Sequence, residues 1–206
     1  MNIYQQYVLP KMIDMACGTG QVMKARANIV PQAIGEVLEI GIGSGLNLEF
    51  YDASKVTSII GIDPAAQMQT LAYKRAKQID IPVETIAADI YGIDAERARF
   101  DTIVMTFTLC SIDDPIPALT EMARLLKPEG RLLFCEHGLA PDASVKRWQR
   151  RLTPLWRPMA GGCHLDRDIA ALITAGGFTL EELNEEYLPG PKPMSYVYSG
   201  SAKKKL

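Results

Sequence analysis

The sequence predicts an α/β protein: a mostly parallel sheet with helices on both faces and an antiparallel strand pair at its C-terminal end. Three observations predict it. From Glu36 onward, short β-rich runs alternate with segments of helical period. A glycine-rich turn, "GIGSG" at 41–45, follows the first run and leads into a helix-like stretch. The last two runs, 178–188 and 194–204, have no helix between them, only the Pro-rich "PGPKP". Alternation requires crossover connections and therefore parallel strands, whereas a direct return makes an antiparallel pair.

The elements follow in order. "EVLEI" (36–40) and "VTSIIGID" (56–63) read as strands. "AAQMQTLAYKRAKQI" (65–79) carries Met68, Leu71, Ala72, Ala76 and Ile79 at helical spacing. "VETIAAD" (83–89) and "FDTIVMTFTL" (100–109) are further strands, and "IPALTEMARLLK" (116–127) is a helix stopped by Pro128 and Gly130. "GRLLFCEH" (130–137) is the next strand, and "DRDIAALITAGG" (166–177) is a helix starting at an Asp166 cap. In the final run Tyr196, Tyr198 and Gly200 alternate with Val197 and Ser199, the pattern of a partly exposed strand. The closing Lys-Lys-Lys reads as a frayed tail.

Composition bounds the rest. A chain of 206 residues, 48% hydrophobic and 22% charged, builds one core. We divide it into a helical lid or extension over 1–35, with an apolar set Val8, Leu9, Met12 and Ile13, and a ligand-binding domain over 36–206. A net charge of -2 gives no electrostatic case for nucleic acid. No run reaches the roughly 18 apolar residues of a spanning helix. No signal peptide is evident, so a cytoplasmic location is expected. Cys17, Cys110, Cys135 and Cys163 form no C-x-x-C pair and show no metal-ligand spacing. The expectation is buried or reduced thiols and no metal.

Two glycine turns compete for the ligand, "ACGTG" at 16–20 and "GIGSG" at 41–45. Ligands of open α/β sheets sit beyond the carboxyl end of the first strand, where glycines admit the backbone close to them. The first turn has no strand before it. The second has a strand, then Gly41, Gly43 and Gly45, a helix, and a second strand ending in Asp63. A dinucleotide fingerprint would place a third glycine where Leu46 stands. Asp63 can accept from both hydroxyls of a ribose, and Asp89, at the end of the third strand, from an adenine amino group.

"VLEIGIGSG", "IIGIDP", "AAD" and "FDTIVMTFTLCSI" resemble the ordered motifs of class I S-adenosylmethionine-dependent methyltransferases. The likeness covers roughly 36–204 and implies their Rossmann-like seven-stranded sheet, the end pair being strands six and seven. "GIGSGLNLEFY", "EHG", "GGCHLDRD" and "GPKPMSYVYSG" narrow it to the alkyl-thiol S-methyltransferases and their bacterial relatives. The animal members carry an N-terminal hydrophobic anchor that "MNIYQQYVLP" does not resemble. The resemblance implies S-adenosylmethionine as cofactor, with Gly41, Gly43 and Gly45 beneath its methionine and ribose portions. It also implies that Glu39 accepts from the ammonium group, that Pro64 and Met68 face adenine, and that Asp89 and Ile90 flank the adenine edge. Thr106 and Thr108 then lie near the methionine tail and the entering acceptor.

A thiol acceptor must lose its proton, and with a pKa near 8.5 it benefits from a base. The two histidines, His137 in "CEHG" and His164 in "GGCHLDRD", are the candidates. Nothing in the sequence activates Cys163. "SVKRWQRRLTPLWRPM" (144–159) sets Val145, Trp148, Leu152 and Trp156 beside five cations. It reads as a lid that also touches a membrane surface peripherally, ended early by Pro154 and Pro158. The expected acceptor is a small molecule, a thiol first and a phospholipid head group or quinone-like ring second.

Overall fold

A computed structural model describes residues 9–93 and 95–205; Val8, and with it part of the 1–35 extension, lies outside them. The β-branched runs become β1 (Gly35–Ile40), β2 (Val56–Ile62), β3 (Val83–Ile86), β4 (Phe100–Thr106) and β5 (Leu126–His137). β6 (Phe178–Tyr187) and β7 (Tyr196–Lys204) complete a seven-stranded sheet of order β3-β2-β1-β4-β5-β7-β6. β1 to β5 are parallel, and β7 runs antiparallel to both β5 and β6. Chain order reverses between β1 and β4, which opens a crevice at their carboxyl ends.

The sheet is apolar on both faces because neighbouring residues of each central strand go opposite ways. Leu38, Ile103, Leu132 and Phe134 pack with α4 (Pro115–Leu125) and α6 (Ile169–Ala175). Val37, Val104, Leu133 and Cys135 pack with Ala25 and Ile29 of α2 (Gly20–Ile29) and Ala72 of α3 (Gln69–Ala76). α1 (Leu9–Cys17) and α5 (Ala143–Met159) stand over the carboxyl edge and contribute to a cavity there.

Four local expectations are corrected. The alternation in β7 does not mark an exposed face: Tyr196, Val197 and Tyr198 are all buried, because β7 is inserted between β5 and β6. α5 runs through Pro154 to Met159. Both prolines are exposed, so water can reach the carbonyls that lose an N–H partner. The cap of α6 is Asp168, accepting from the Ala171 N–H, and not Asp166. The lysine tail is paired, Lys203 with Glu181, Lys204 with the Leu126 carbonyl and Lys205 with that of Thr174.

Gly200 is where β7 crosses the irregular stretch of β6: an added Cβ would lie 1.9 Å from the Glu182 carbonyl oxygen. Gly200→Ala is expected to cost about 3 kcal/mol, the upper end of an overpacking penalty. Urea unfolding of the two proteins at constant slope measures it.

Candidate active site

The turn after β1 is built by backbone conformations that side chains resist. Gly41, Gly43 and Gly45 have φ of +69°, +53° and +82°. A Cβ on Gly41 would strike Thr108 Oγ1 at 2.2 Å, and one on Gly45 would crowd Leu48 and Ala72. Gly43 is different, since the nearest atoms to an added Cβ are Asp63 Oδ2 and Met68 Cε, both at 3.8 Å. The floor above Gly43 is therefore open. Asp63, just beyond β2, accepts from the Gly43 N–H at 3.0 Å and the Ala65 N–H at 2.8 Å. Each of its oxygens keeps a lone pair for a ligand, and burial pushes its carboxyl pKa up.

The turn "ACGTG" carries no strand; it joins α1 to α2. It nevertheless leans on the true turn. Asp14 accepts from Ser44 Oγ and, at 3.2 Å, from Arg75 Nη1, which also donates to the Ser44 carbonyl at 2.6 Å.

One cavity of about 760 Å³ runs along the carboxyl edge of the sheet. Asp63, Pro64, Met68, Asp89 and Ile90 line it together with Gly41, Gly43 and Thr106, so most of the expected ligand-binding residues meet in one place. Asp89 falls after β3 ends at Ile86, where it caps a short turn by accepting from the N–H groups of Tyr91 and Gly92. Glu39 and Gly45 are not on the cavity wall. Glu39 is 1% exposed and lies behind the wall, accepting from Asn47 Nδ2 at 2.9 Å and Tyr51 OH at 2.8 Å. Its place is that of a buttress. Burial raises its pKa to about 7 against the pull of Tyr51, Arg26 and Asn47.

Arg26, from α2, is the residue that the sequence did not mark. It is 5% exposed and lines the cavity. Its Nη1 donates to Asn47 Oδ1 at 2.7 Å and to Thr106 Oγ1, while its Nε has no partner. No carboxylate among the described residues forms an ion pair with it. Its face rests on Phe107, 5.1 Å from the ring centroid. Phe107 itself has φ of +53°, a strained conformation directly after β4.

The other end of the cavity is sulfur-rich. His137, the last residue of β5, lines it with Cys17, Cys110 and Cys163. The Cys163 and Cys110 sulfurs are 3.4 Å apart, and Cys163 Sγ lies 3.7 Å and 3.9 Å from the two His137 ring nitrogens. Cys163 is the more acidic thiol of the pair. The Cys110 thiol and the His137 ring outweigh burial and bring its pKa to about 4, whereas Cys110 is held well above the ordinary value. His137 is raised in turn, the Cys163 sulfur and Glu136 outweighing burial. Glu136 is fully buried, accepts from the Thr108 N–H at 2.8 Å, and leaves Oε2 unpartnered.

Two expectations fail here. His164 is not on the cavity wall; its ring Nδ1 lies 4.0 Å from Asp166 and its backbone N–H donates to the Cys110 carbonyl. Of the two histidines only His137 faces the cavity, because it ends a central strand while His164 sits in the turn that follows α5. Cys163 does not pack alone: it lies against Cys110 and the His137 ring, and the three carry metal-ligating atoms within 4.8 Å of one another. Sequence spacing misses the group because the three residues come from a loop, a strand end and a turn far apart in the chain.

A family model described as a methyltransferase domain matches residues 9–183. The rat thiol S-methyltransferase TMT1B is 34% identical over 161 residues, which is 75% of this chain and 64% of the relative. The yeast mitochondrial methyltransferase OMS1 is 28% identical over 229 residues, 99% of this chain and 47% of the relative. The chain thus spans less than two thirds of the length of either relative. A solved SAM-dependent methyltransferase from Leishmania major superposes with a TM-score of 0.70 at 15% identity, over 97% of this chain and 80% of that one. At that identity the superposition speaks for the fold.

Glu39 makes stability depend on pH. Its folded pKa of about 7 exceeds the ordinary carboxylate value, so its contribution is full at low pH and is lost as pH rises through 7. Glu136, also raised to about 7 by burial, acts in the same sense. The melting midpoint of the ligand-free protein is expected to fall between pH 5 and pH 8, and Glu39→Gln to remove about half of that slope. A slope unchanged in the variant contradicts this assignment.

Proposed function

The chain belongs to the methyltransferase-domain family, and from that premise we propose that it transfers a methyl group from S-adenosylmethionine to a small thiol. One observation carries the reading. A single cavity is lined both by Asp63 and Arg26, which suit a ribose and a carboxylate, and by Cys163 and His137, a sulfur and an imidazole. The name of the TMT1B relative supports the thiol over other acceptors.

The residues present fit the cofactor. Gly43 leaves open floor where a side chain would intrude. The unpartnered Nε of the buried Arg26 suits the carboxylate of an amino-acid tail, a charge-assisted hydrogen bond. Asp63 offers two lone pairs to vicinal hydroxyls. When bound, the cofactor supplies a methyl carbon on a sulfonium, which already carries a good leaving group. Most of the protein's work is then to orient the acceptor and exclude water. The mainly apolar wall made by Ile13, Ile112, Trp156 and Leu165 does the second, and the polar end at His137 is where a thiol sheds its proton.

α5 favours a second acceptor class, a lipid head group or quinone-like ring. It exposes Trp148 at 55% and Leu155 at 71% beside Arg147, Arg150 and Arg151. Under that reading the protein binds anionic vesicles peripherally and loses this binding when the three arginines are changed to glutamate.

The deciding assay is release of S-adenosylhomocysteine with alkyl thiols, phospholipid head groups and phenolic rings as separate acceptors. Thiol-dependent release is expected; release only with lipids or rings overturns the thiol reading. Arg26→Met and Asp63→Ala should each weaken S-adenosylmethionine binding about 10- to 100-fold, the range for losing hydrogen bonds to charged groups. Gly20→Ala, whose added Cβ meets nothing within 4 Å, should leave binding unchanged in the same titration calorimetry.

A further inference from the structure

We propose that Cys110, His137 and Cys163 hold one zinc-type divalent ion, with a fourth position open to the cavity that takes the thiol acceptor as a thiolate. The part concerning the thiol rests on the reading above; the metal site stands on its own geometry.

The donors converge from three places: Cys110 in the loop after β4, His137 at the end of β5, and Cys163 in the turn after α5. Tetrahedral zinc, with Zn–S of about 2.3 Å and Zn–N of about 2.0–2.1 Å, requires ligand-to-ligand edges of roughly 3.5–3.8 Å. The observed separations are 3.4 Å between the sulfurs and 3.7 Å from Cys163 Sγ to His137 Nε2. All three donor atoms lie within 4.8 Å of one another, and seating the ion requires the Cys110–His137 edge to close to the tetrahedral value and the imidazole lone pair to turn toward the sulfurs. Two sulfurs and one imidazole are a soft donor set, suited to zinc rather than to magnesium or calcium. Three protein ligands with one position free is also the arrangement of catalytic rather than structural zinc.

Glu136 is fully buried next to His137 with one carboxylate oxygen outside any hydrogen bond. Two thiolates neutralise a divalent ion, so before the acceptor binds the site adds no net charge to the interior. Cys17 also lines the cavity but lies outside the three-residue group, which leaves the fourth position to a ligand from the cavity.

Coordination deprotonates a thiol outright. The proton of the acceptor passes to solvent, and a sulfur lone pair forms the new S–CH3 bond. The sulfonium S–CH3 bond breaks as this bond forms, and its electron pair stays on the departing thioether sulfur. The methylated acceptor is a neutral thioether, a weaker ligand, and leaves the metal. His137 then serves as a ligand, not as a free base.

Cobalt tests the site without any assay of turnover. The full chain, purified under reductant and stripped with chelator, is titrated with Co2+. Expected are a thiolate-to-cobalt charge-transfer band saturating at one ion per chain, tetrahedral d–d bands, and displacement by Zn2+. Cys163→Ser, at a half-buried position, should lose most of the charge-transfer intensity; Cys110→Ser should do the same if it folds. Cys17→Ser should keep it. Adding an alkyl thiol should raise the band in both wild type and Cys17→Ser. The proposal is overturned by absence of the band, by a band that survives Cys163→Ser, or by one that Cys17→Ser abolishes. Cobalt binding with a thiol response but no thiol-dependent S-adenosylhomocysteine release would support the metal site and sink the acceptor reading instead.

Discussion

The buried guanidinium of Arg26 sets the terms for everything at the carboxyl edge of the sheet. A charge this far from water costs several kcal/mol unless its field and its N–H groups are matched. Here Asn47 and Thr106 accept from it, Glu39 stands behind Asn47, and Tyr51 holds the far oxygen of Glu39. The network draws on α2, the glycine turn, β1 and β4 at once. It therefore locks the N-terminal helices to the sheet and defines the floor of the cavity. The same residue rests on Phe107, whose positive φ is kept by an N–H bond to the Cys135 carbonyl at 2.8 Å. The Arg26 Nε is buried without a partner, and that gap points to a ligand.

What the sequence made legible is what is local. A strand, three glycines and an acid at the next strand end lie within 28 residues, from Glu36 to Asp63, and each has a physical reason to be where it is. The competing turn at 16–20 could be set aside because a glycine run without a preceding strand has no sheet edge to stand on. It proves to be an interhelical link whose neighbour, Asp14, pins Ser44 of the real turn. The order and direction of the strands were readable for the same reason: alternation and crossover rules act between neighbours in sequence.

The illegible parts depend on contacts that no short window contains. Arg26 sits in a helix of ordinary composition, and only the burial of that face brings it to the cavity wall. β7 alternates as an exposed strand would, yet both of its edges and both of its faces are covered once it is inserted between β5 and β6. Pro154 and Pro158 look like helix stops, but a helix tolerates them when the freed carbonyls face water. His137 and His164 are equivalent as letters; only the end of β5 carries its histidine into the cavity.

The sulfur cluster extends this point to the chemistry. Cys163 is 53 residues from Cys110 and 26 from His137, so motif spacing has nothing to detect. They meet because β4 and β5 are adjacent parallel strands ending at one edge, and the turn after α5 returns to that edge. The residues proposed for the cofactor, by contrast, come mainly from α2, the turn joining β1 to β2, the end of β2 and the loop after β3. The two ends of the cavity thus rest on different parts of the chain. Loops after β4 and α5 can change what is methylated while leaving the glycine turn and Arg26 untouched. Likeness to a family therefore speaks for the fold and for S-adenosylmethionine as methyl donor, while the acceptor has to be argued from Cys110, His137 and Cys163.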